Sequence, residues 1–206
     1  MRLIHTSLFA AITALGLAAC SPSTDNADTA AAPATPAAVP ADTAAAPAAM
    51  AATDAATAVA ELAPTQGNEA KGNVTFKVVD GRVHVSGQIT GLKPNSEHGF
   101  HIHEKGDCSA PDATSAGGHF NPGQQDHGRV DSDPHHGGDM ANIKADAQGT
   151  ATIDAPVSSN VNIGKGDGFD IIGRGLIVHA DPDDYTSQPT GNAGGRLACA
   201  VIQKAP

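Results

Sequence analysis

The sequence predicts an all-β fold, an antiparallel sandwich or barrel with long loops. Three observations support this prediction. First, the 206 residues include 23 glycines but only one tyrosine and no tryptophan, a composition unlike that of a helical bundle. Second, several short runs alternate β-favouring apolar and polar residues. Third, turn-forming pairs such as Asp80-Gly81 separate these runs.

Residues 1–19 are predicted to be a lipoprotein signal peptide. Arg2 supplies a positive charge, and the apolar run LFAAITALGLAAC is too short to span a bilayer stably. Its last residues, LAAC, resemble the lipobox of bacterial lipoproteins, in which cleavage leaves Cys20 as a lipid-modified N terminus. The alternative is ordinary cleavage near Ala19, which would leave Cys20 as a free thiol. Ser21 resembles the residue that follows the cysteine in outer-membrane signals.

Residues 20–54 are predicted to be the lipidated Cys20 followed by a disordered tether. The segment consists almost entirely of Ala, Pro, Thr, Asp and Ser, so it cannot bury enough apolar surface to offset the entropy of ordering. An alanine-rich helix is the alternative, but it would be interrupted too often, by Pro33, Pro36, Pro40 and Pro47. We therefore expect a cell-envelope protein, periplasmic or on the surface, with a lipid anchor most consistent with the outer membrane.

Residues 55–206 are long enough for one folded domain. VTFKVVDGRVHVSG (74–87) reads as a hairpin around Asp80-Gly81, and NIKADAQGTATIDA (142–155) as a second hairpin around Gly149. ATAVAEL (56–62), GLIVHA (175–180) and RLACAVIQ (196–203) are further strand candidates. If Cys20 is lipidated, Cys108 and Cys199 remain, and export to an oxidising compartment favours a disulfide between them over two buried thiols.

Histidines are the main functional signal in this domain. His101 and His103 alternate, so they lie on the same face if this run is a strand. No strand pattern appears between Gly106 and Asp139, and a loop of that length needs something to organise it. Imidazoles and a carboxylate in the loop suit a closed zinc site, with candidates His119, His127, His135, His136 and Asp139. A separate set, His101, His103 and His179, could hold a redox metal.

Five segments carry a resemblance to a known family. GFHIHEKGDC, SAGGHFNP, HHGGDMANIKAD, IIGRGLIVHADPDD and GNAGGRLACAVI closely resemble the copper/zinc superoxide dismutases, in the same order along the chain. The resemblance runs from about Ala56 to Lys204. It implies a Greek-key, immunoglobulin-like β-sandwich or barrel with long metal-binding loops.

The resemblance also implies two metal sites that share one ligand. The copper ligands would be His101, His103, His119 and His179. The zinc ligands would be His119, His127, His136 and Asp139. His119 would bridge the two metals and take up and return a proton during catalysis. His136 is preferred to its neighbour His135 because the family spacing is H-x-x-D.

Three further roles follow from the same resemblance. Asp183, rather than its neighbour Asp184, would hydrogen-bond the outer nitrogens of His101 and His127. Arg196 would guide the anion, making it a catalytic residue together with His119. Cys108 and Cys199 would form the family disulfide. Copper would alternate between Cu(II) and Cu(I) while superoxide becomes oxygen and hydrogen peroxide, which would protect the cell envelope from exogenous superoxide.

Charge and oligomeric state bear on the partners. A formal net charge of -10 gives no reason to expect a nucleic-acid partner. The segment DDYTSQPTGNAGG holds no lysine, so attraction of the superoxide anion is expected to be local, from the metals and Arg196. The chain is expected to be a monomer or a homodimer. The alternative to an enzyme is a non-enzymatic periplasmic copper/zinc carrier, which would need the histidines but not Arg196.

Overall fold

The computed structural model describes residues 56–206. The predicted signal peptide, the proposed lipid site at Cys20 and the predicted tether therefore lie outside the described residues. Within residues 56–206 there is no helix with the length and apolar character needed to cross a membrane.

The regular secondary structure of the described residues consists of short antiparallel strands and one 3₁₀ turn at Thr114–Ala116. The strands are β1 (Thr57–Pro64), β2 (Lys71–Val79), β3 (Arg82–Thr90), β4 (Glu97–His98), β5 (Phe100–His103), β6 (Ile143–Lys144), β7 (Ala151–Pro156), β8 (Gly175–His179), β9 (Arg196–Val201) and β10 (Gln203–Lys204).

The main sheet has the spatial order β5-β8-β9-β1-β2-β3-β7, and β10 also pairs with β1. β4 and β6 form a separate two-stranded sheet. Because β3 lies beside β7 and β5 beside β8, the chain makes long crossings between strands that are not consecutive, as in Greek-key folds. The all-β prediction is confirmed.

The predicted hairpin at Asp80-Gly81 is confirmed. β2 and β3 pair from Lys71↔Thr90 to Val79↔Arg82, so only Asp80 and Gly81 connect them. Their φ angles are 50° and 80°. Left-handed backbone at both central positions is what a two-residue hairpin turn requires, and Gly adopts it without steric cost.

The predicted hairpin at 142–155 is wrong in its pairing. A turn does form, since the Asp146 and Gly149 backbones are joined by a hydrogen bond of 3.1 Å. The flanking strands do not pair with each other, however: β6 pairs with β4, and β7 pairs with β3. The local pattern predicted the turn correctly, but strand partners distant in sequence determine the pairing.

The main core lies inside the curled sheet and includes Phe76, Ile89, Phe100, Ile102, Leu176 and Ile202, each at most 1% exposed. A smaller cluster of Ala113, Ala116, Ile177 and Cys199 packs around the disulfide on the opposite face. The loops that carry most of the predicted site residues lie between these strands, in the segments 104–142 and 180–195.

Candidate metal centre

Alternation in β5 separates core residues from site residues. Phe100 and Ile102 point into the main core, so His101 and His103 must point to the opposite face. Both histidines are fully buried. β8 pairs with β5 and ends at His179, which lies in the same region of the sheet. The strand framework thus supplies three imidazoles to one site.

Backbone pairing brings the long loop onto this framework. An isolated β-bridge joins His103 to His119. Phe120 N–H donates to the Ile102 carbonyl at 2.9 Å, and Ile102 N–H donates to the Gly138 carbonyl at 2.9 Å. A Cβ at Gly138 would overlap the Ile102 carbonyl oxygen, so only glycine permits this approach. The loop therefore delivers its side chains at the edge of β5.

The described residues contain two clusters whose possible ligand atoms lie within 4.8 Å of one another. The first consists of His101, His103, His119 and His179, and the second of His119, His127, His136 and Asp139. All seven residues are buried. The structure thus brings together the two sets that the sequence analysis proposed, with His119 in both.

The two nitrogens of the His119 ring face different clusters. Nδ1 lies 2.8 Å from Asp139 Oδ1 and 3.5 Å from His136 Nδ1. Nε2, on the other side of the ring, is buried and has no hydrogen-bond partner among the described residues. The ring centroid is 4.1 Å from that of His101. One imidazole can therefore donate a lone pair to each cluster.

One carboxylate oxygen of Asp139 contacts all three histidines of the second cluster. Its Oδ2 accepts the backbone N–H groups of Gly128 at 3.1 Å and His136 at 2.8 Å. Its Oδ1 lies 2.8, 3.0 and 3.4 Å from the Nδ1 atoms of His119, His127 and His136. Backbone donors fix one carboxylate oxygen, and the other faces three imidazoles.

Asp183 links the two clusters from outside. Its Oδ2 accepts from His101 Nε2 at 2.9 Å, and its Oδ1 accepts from His127 Nε2 at 2.9 Å. These contacts place the N–H of each ring on Nε2 and leave both Nδ1 atoms turned inward. A Cβ at Gly191 would overlap the Asp183 carboxylate, so this position also requires glycine.

Burial and neighbouring charges set the protonation of the rings. Burial and the nearby His101 lower the pKa of His119 to about 4. Burial, with His101 and His119, lowers the pKa of His179 to about 2. Burial also disfavours the charged form of His127, but its contacts with Asp139 and Asp183 outweigh this and raise its pKa to about 9. At neutral pH the rings of His119 and His179 are thus uncharged, whereas the second cluster contains a carboxylate.

Arg196 lies beside the first cluster. It begins β9 and pairs with His179 across the β8–β9 ladder. Its Nη1 donates to the Ala113 carbonyl and its Nη2 to the Gly117 carbonyl, both at 2.6 Å. The Gly117 carbonyl also accepts from His103 Nδ1 at 2.9 Å. One carbonyl thus positions both the guanidinium and a histidine of the first cluster.

The disulfide between Cys108 and Cys199 is confirmed, with the two Cα atoms 5.8 Å apart. It ties the loop that contains Ala113 and Gly117 to the strand that begins at Arg196. The carbonyls that anchor the guanidinium are therefore held to the same strand as the guanidinium itself.

Two other histidines have structural partners. His135 is buried but belongs to neither cluster: its Nδ1 donates to the Ser132 carbonyl at 2.8 Å and its Nε2 contacts Ser158 Oγ at 2.9 Å. His98 contacts the His179 carbonyl through Nδ1 at 2.8 Å and Ser96 Oγ through Nε2 at 2.6 Å.

Sequence analysis missed Asn142, Tyr185 and Gln188, whose side chains hold the backbones around the second cluster. Their contacts join segments more than 40 residues apart, and no periodicity or spacing signals such pairs. The one available signal was that these residues lie in two segments, NIKAD and DDYTSQP, that the sequence analysis had already considered for other reasons.

The donor sets fit two different metal ions. Two buried imidazole nitrogens of the first cluster, His101 Nδ1 and His119 Nε2, lack any hydrogen-bond partner among the described residues. Buried polar atoms are rarely left unpaired, so a cation between them would account for both. Four imidazoles suit copper, and three imidazoles with one carboxylate suit tetrahedral zinc.

Comparisons with known proteins agree with this geometry. The family model described as copper/zinc superoxide dismutase (SODC) matches residues 70–202. A copper–zinc superoxide dismutase of Aquifex aeolicus is 40% identical over 146 residues, which cover 69% of this chain and 84% of the relative. A copper–zinc superoxide dismutase of Paramecium bursaria Chlorella virus 1 is 46% identical over 138 residues, or 64% and 72% of the two chains.

Solved structures show the same relationship. The crystal structure of the clock protein EA4 is 42% identical, with a TM-score of 0.64, and the match covers 74% of this chain and 97% of that chain. The matched family model spans more than half of the sequence and contains both histidine clusters. The chain therefore belongs to the copper/zinc superoxide dismutases, a family of oxidoreductases that use copper and zinc.

Proposed function

We propose that this protein converts superoxide to oxygen and hydrogen peroxide in the cell envelope of a bacterium, held to a membrane by a lipid on Cys20. The observation that carries the catalytic part is the position of His119, which presents opposite ring nitrogens to an all-imidazole cluster and to a cluster with a carboxylate. The family supports the same reaction.

His101, His103, His119 and His179 would hold copper, and His119, His127, His136 and Asp139 would hold zinc. Bound copper would supply one-electron chemistry by alternating between Cu(II) and Cu(I), and zinc would have structural and electrostatic roles. Asp183 orients the rings of His101 and His127 through their outer nitrogens. This orientation would present one ring to each metal.

Arg196 would bind and orient the substrate. Its guanidinium keeps one positive charge beside the neutral rings of His119 and His179, and two carbonyls fix its direction. A fixed cationic donor favours an anion by charge and by hydrogen bonding. His119 Nε2 would accept and return a proton there, since its Nδ1 is already engaged by Asp139. Two superoxide anions and two protons give one oxygen and one hydrogen peroxide.

The location rests on the sequence LAAC before Ser21. Lipidation of Cys20 with a tether up to residue 54 would keep the folded domain near a membrane surface, and we propose the outer membrane. There the enzyme would remove superoxide that reaches the envelope from outside. Because superoxide is an anion, it does not readily leave this compartment by crossing the bilayer.

The catalytic proposal is tested on the purified full chain, loaded with copper and zinc in detergent. Metal content is measured together with the rate of superoxide decay. We expect one copper and one zinc for each chain and a rate that disappears when copper is removed. Full copper occupancy without superoxide decay would refute the enzymatic proposal and favour the carrier.

A further inference from the structure

The two clusters are held by different parts of the fold. Three of the four residues in the proposed copper set lie on strands: His101 and His103 on β5, and His179 on β8. The proposed zinc set lies in the long loop, and only His119 there joins a strand by a β-bridge. Beyond that bridge and the hydrogen bond from Ile102 to the Gly138 carbonyl, the zinc set needs support that the sheet does not provide.

Gln188 holds the backbone of His127. Its Oε1 accepts the His127 N–H at 2.8 Å, and its Nε2 donates to the His127 carbonyl at 2.9 Å. This reciprocal pair joins residues 61 positions apart. Since Asp183 binds the ring of the same histidine, segment 183–188 contacts His127 at both backbone and side chain.

Asn142 and Tyr185 hold the backbone of Asp183 in a similar way. Asn142 Nδ2 donates to the Asp183 carbonyl, and Asn142 Oδ1 accepts the Asp183 N–H, both at 2.9 Å. Tyr185 Oη then accepts the Asn142 backbone N–H at 2.9 Å, and Tyr185 N–H donates to Asp183 Oδ1 at 2.7 Å. Asp183, Tyr185 and Asn142 thus form a closed ring of contacts.

Arg129 connects the contacts among Asp183, Tyr185 and Asn142 to the loop that carries His127. Its guanidinium lies 4.5 Å from the centroid of the Tyr185 ring, in cation–π geometry, only two residues after His127. Tyr185 itself has a φ of 61°, a left-handed conformation that costs energy for a non-glycine residue. The surrounding contacts retain it there.

We propose that Gln188 and Tyr185 are positioning residues that pre-organise the zinc side of the metal centre. They hold the His127 backbone and the Asp183 carboxylate in place before zinc binds, so less conformational freedom is lost on binding. The loop after β8 contains no lysine from 183 to 195 and would serve to fix a metal ligand rather than to attract the substrate. This inference rests on the proposed zinc set and deepens it.

The test compares full-length Gln188→Ala, Tyr185→Phe and the double variant with the parent. Zinc alone is titrated into metal-free protein against a chromogenic chelator. Removing outer partners of a metal ligand typically weakens metal binding about 10- to 100-fold, and we expect the double variant to fall in this range. Copper binding should weaken less than zinc binding, because strands β5 and β8 hold three of its four proposed ligands and only His101 among them contacts Asp183.

Cobalt(II) bound in place of zinc supplies a second readout, since its visible absorption reports ligand geometry. We expect altered bands in the double variant. Thr186→Ala is the matched control in the same segment, because the Thr186 hydroxyl donates its hydrogen bond to Asp184 rather than to His127 or Asp183. It should leave zinc affinity and the cobalt spectrum unchanged.

Gln188→Glu covers the case in which the double variant fails to fold. It keeps an acceptor for the His127 N–H but loses the donor to the His127 carbonyl, so zinc affinity should still fall. Unchanged zinc affinity in both Gln188 variants, or an equal loss in the Thr186→Ala control, would overturn the proposal. None of these measurements uses superoxide. A parent protein without dismutation but with the expected zinc effects would refute only the proposed function.

Discussion

Replacing Arg196 is the most informative perturbation, because this residue distinguishes an enzyme from a metal carrier. Arg196 contributes no atom to either histidine cluster, so Arg196→Ala should leave copper and zinc occupancy intact. The variant removes a cationic donor that two carbonyls at 2.6 Å hold in a fixed direction. A hydrogen bond to a charged group contributes about 1.5–3 kcal/mol, which corresponds to a roughly tenfold to hundredfold slower dismutation.

Two further variants separate charge from direction. Arg196→Lys keeps the charge but cannot donate to the Ala113 and Gly117 carbonyls with a planar fork, so its rate should lie between those of the parent and Arg196→Ala. Arg196→Glu should be slower than Arg196→Ala, because it repels the anion.

The assay follows superoxide decay by stopped flow while ionic strength rises from about 0.01 M to about 0.15 M, over which the screening length falls from about 30 Å to about 8 Å. Salt should slow the parent more than Arg196→Ala, since part of the attraction acts over distance. Metal content is determined for each protein. An Arg196→Glu protein with full copper and an undiminished rate would show that the guanidinium has no part in the reaction.

Three other perturbations test the ligand sets, the anchor and the acid response. Asp139→Ala should deplete zinc and spare copper, and His179→Ala should do the reverse, as measured by elemental analysis; equal loss of both metals in each variant would contradict the division. Cys20→Ser should release the protein from the membrane fraction at unchanged specific activity, whereas sedimentation with membranes through high-salt washing would refute the anchor. In folded, metal-free protein the pKa values of His119 and His179 are lowered to about 4 and about 2, whereas an unfolded histidine has a pKa near 6.5. Below pH 6.5 the unfolded state therefore binds more protons than the folded state does. The thermal midpoint should therefore fall as pH drops from 6.5 towards 4, and a flat profile would contradict the buried neutral rings.

Local patterns in the sequence predicted the elements that depend on local contacts. The β2–β3 hairpin was predictable because two alternating runs meet at Asp80-Gly81, which supplies its own turn geometry. The second hairpin was not, because Ile143 pairs with His98, 45 positions earlier. A turn signal at Gly149 gives no information about which strand a flanking segment will join.

The candidate site divides in the same way. Residues that could bind metals were recognisable because few side chains offer suitable ligand atoms, and the resemblance assigned them to two sets. The supporting contacts were not recognisable, since Gln188 and Asn142 act through the backbones of His127 and Asp183. Amide side chains of this kind occur throughout ordinary surfaces, and only the folded arrangement distinguishes them.

The disulfide has a consequence for how the protein withstands proteases. Cys108 and Cys199 are 91 residues apart, and the covalent ring they close contains every proposed residue of the metal centre except His101 and His103 on β5. The enclosed residues are His119, His127, His136, Asp139, His179, Asp183 and Arg196. Residues 123–126 are exposed within this ring and offer a place for cleavage. One cut there opens the ring but leaves both pieces joined through the sulfur atoms, so a nicked molecule keeps its complete set of ligands in one covalent unit.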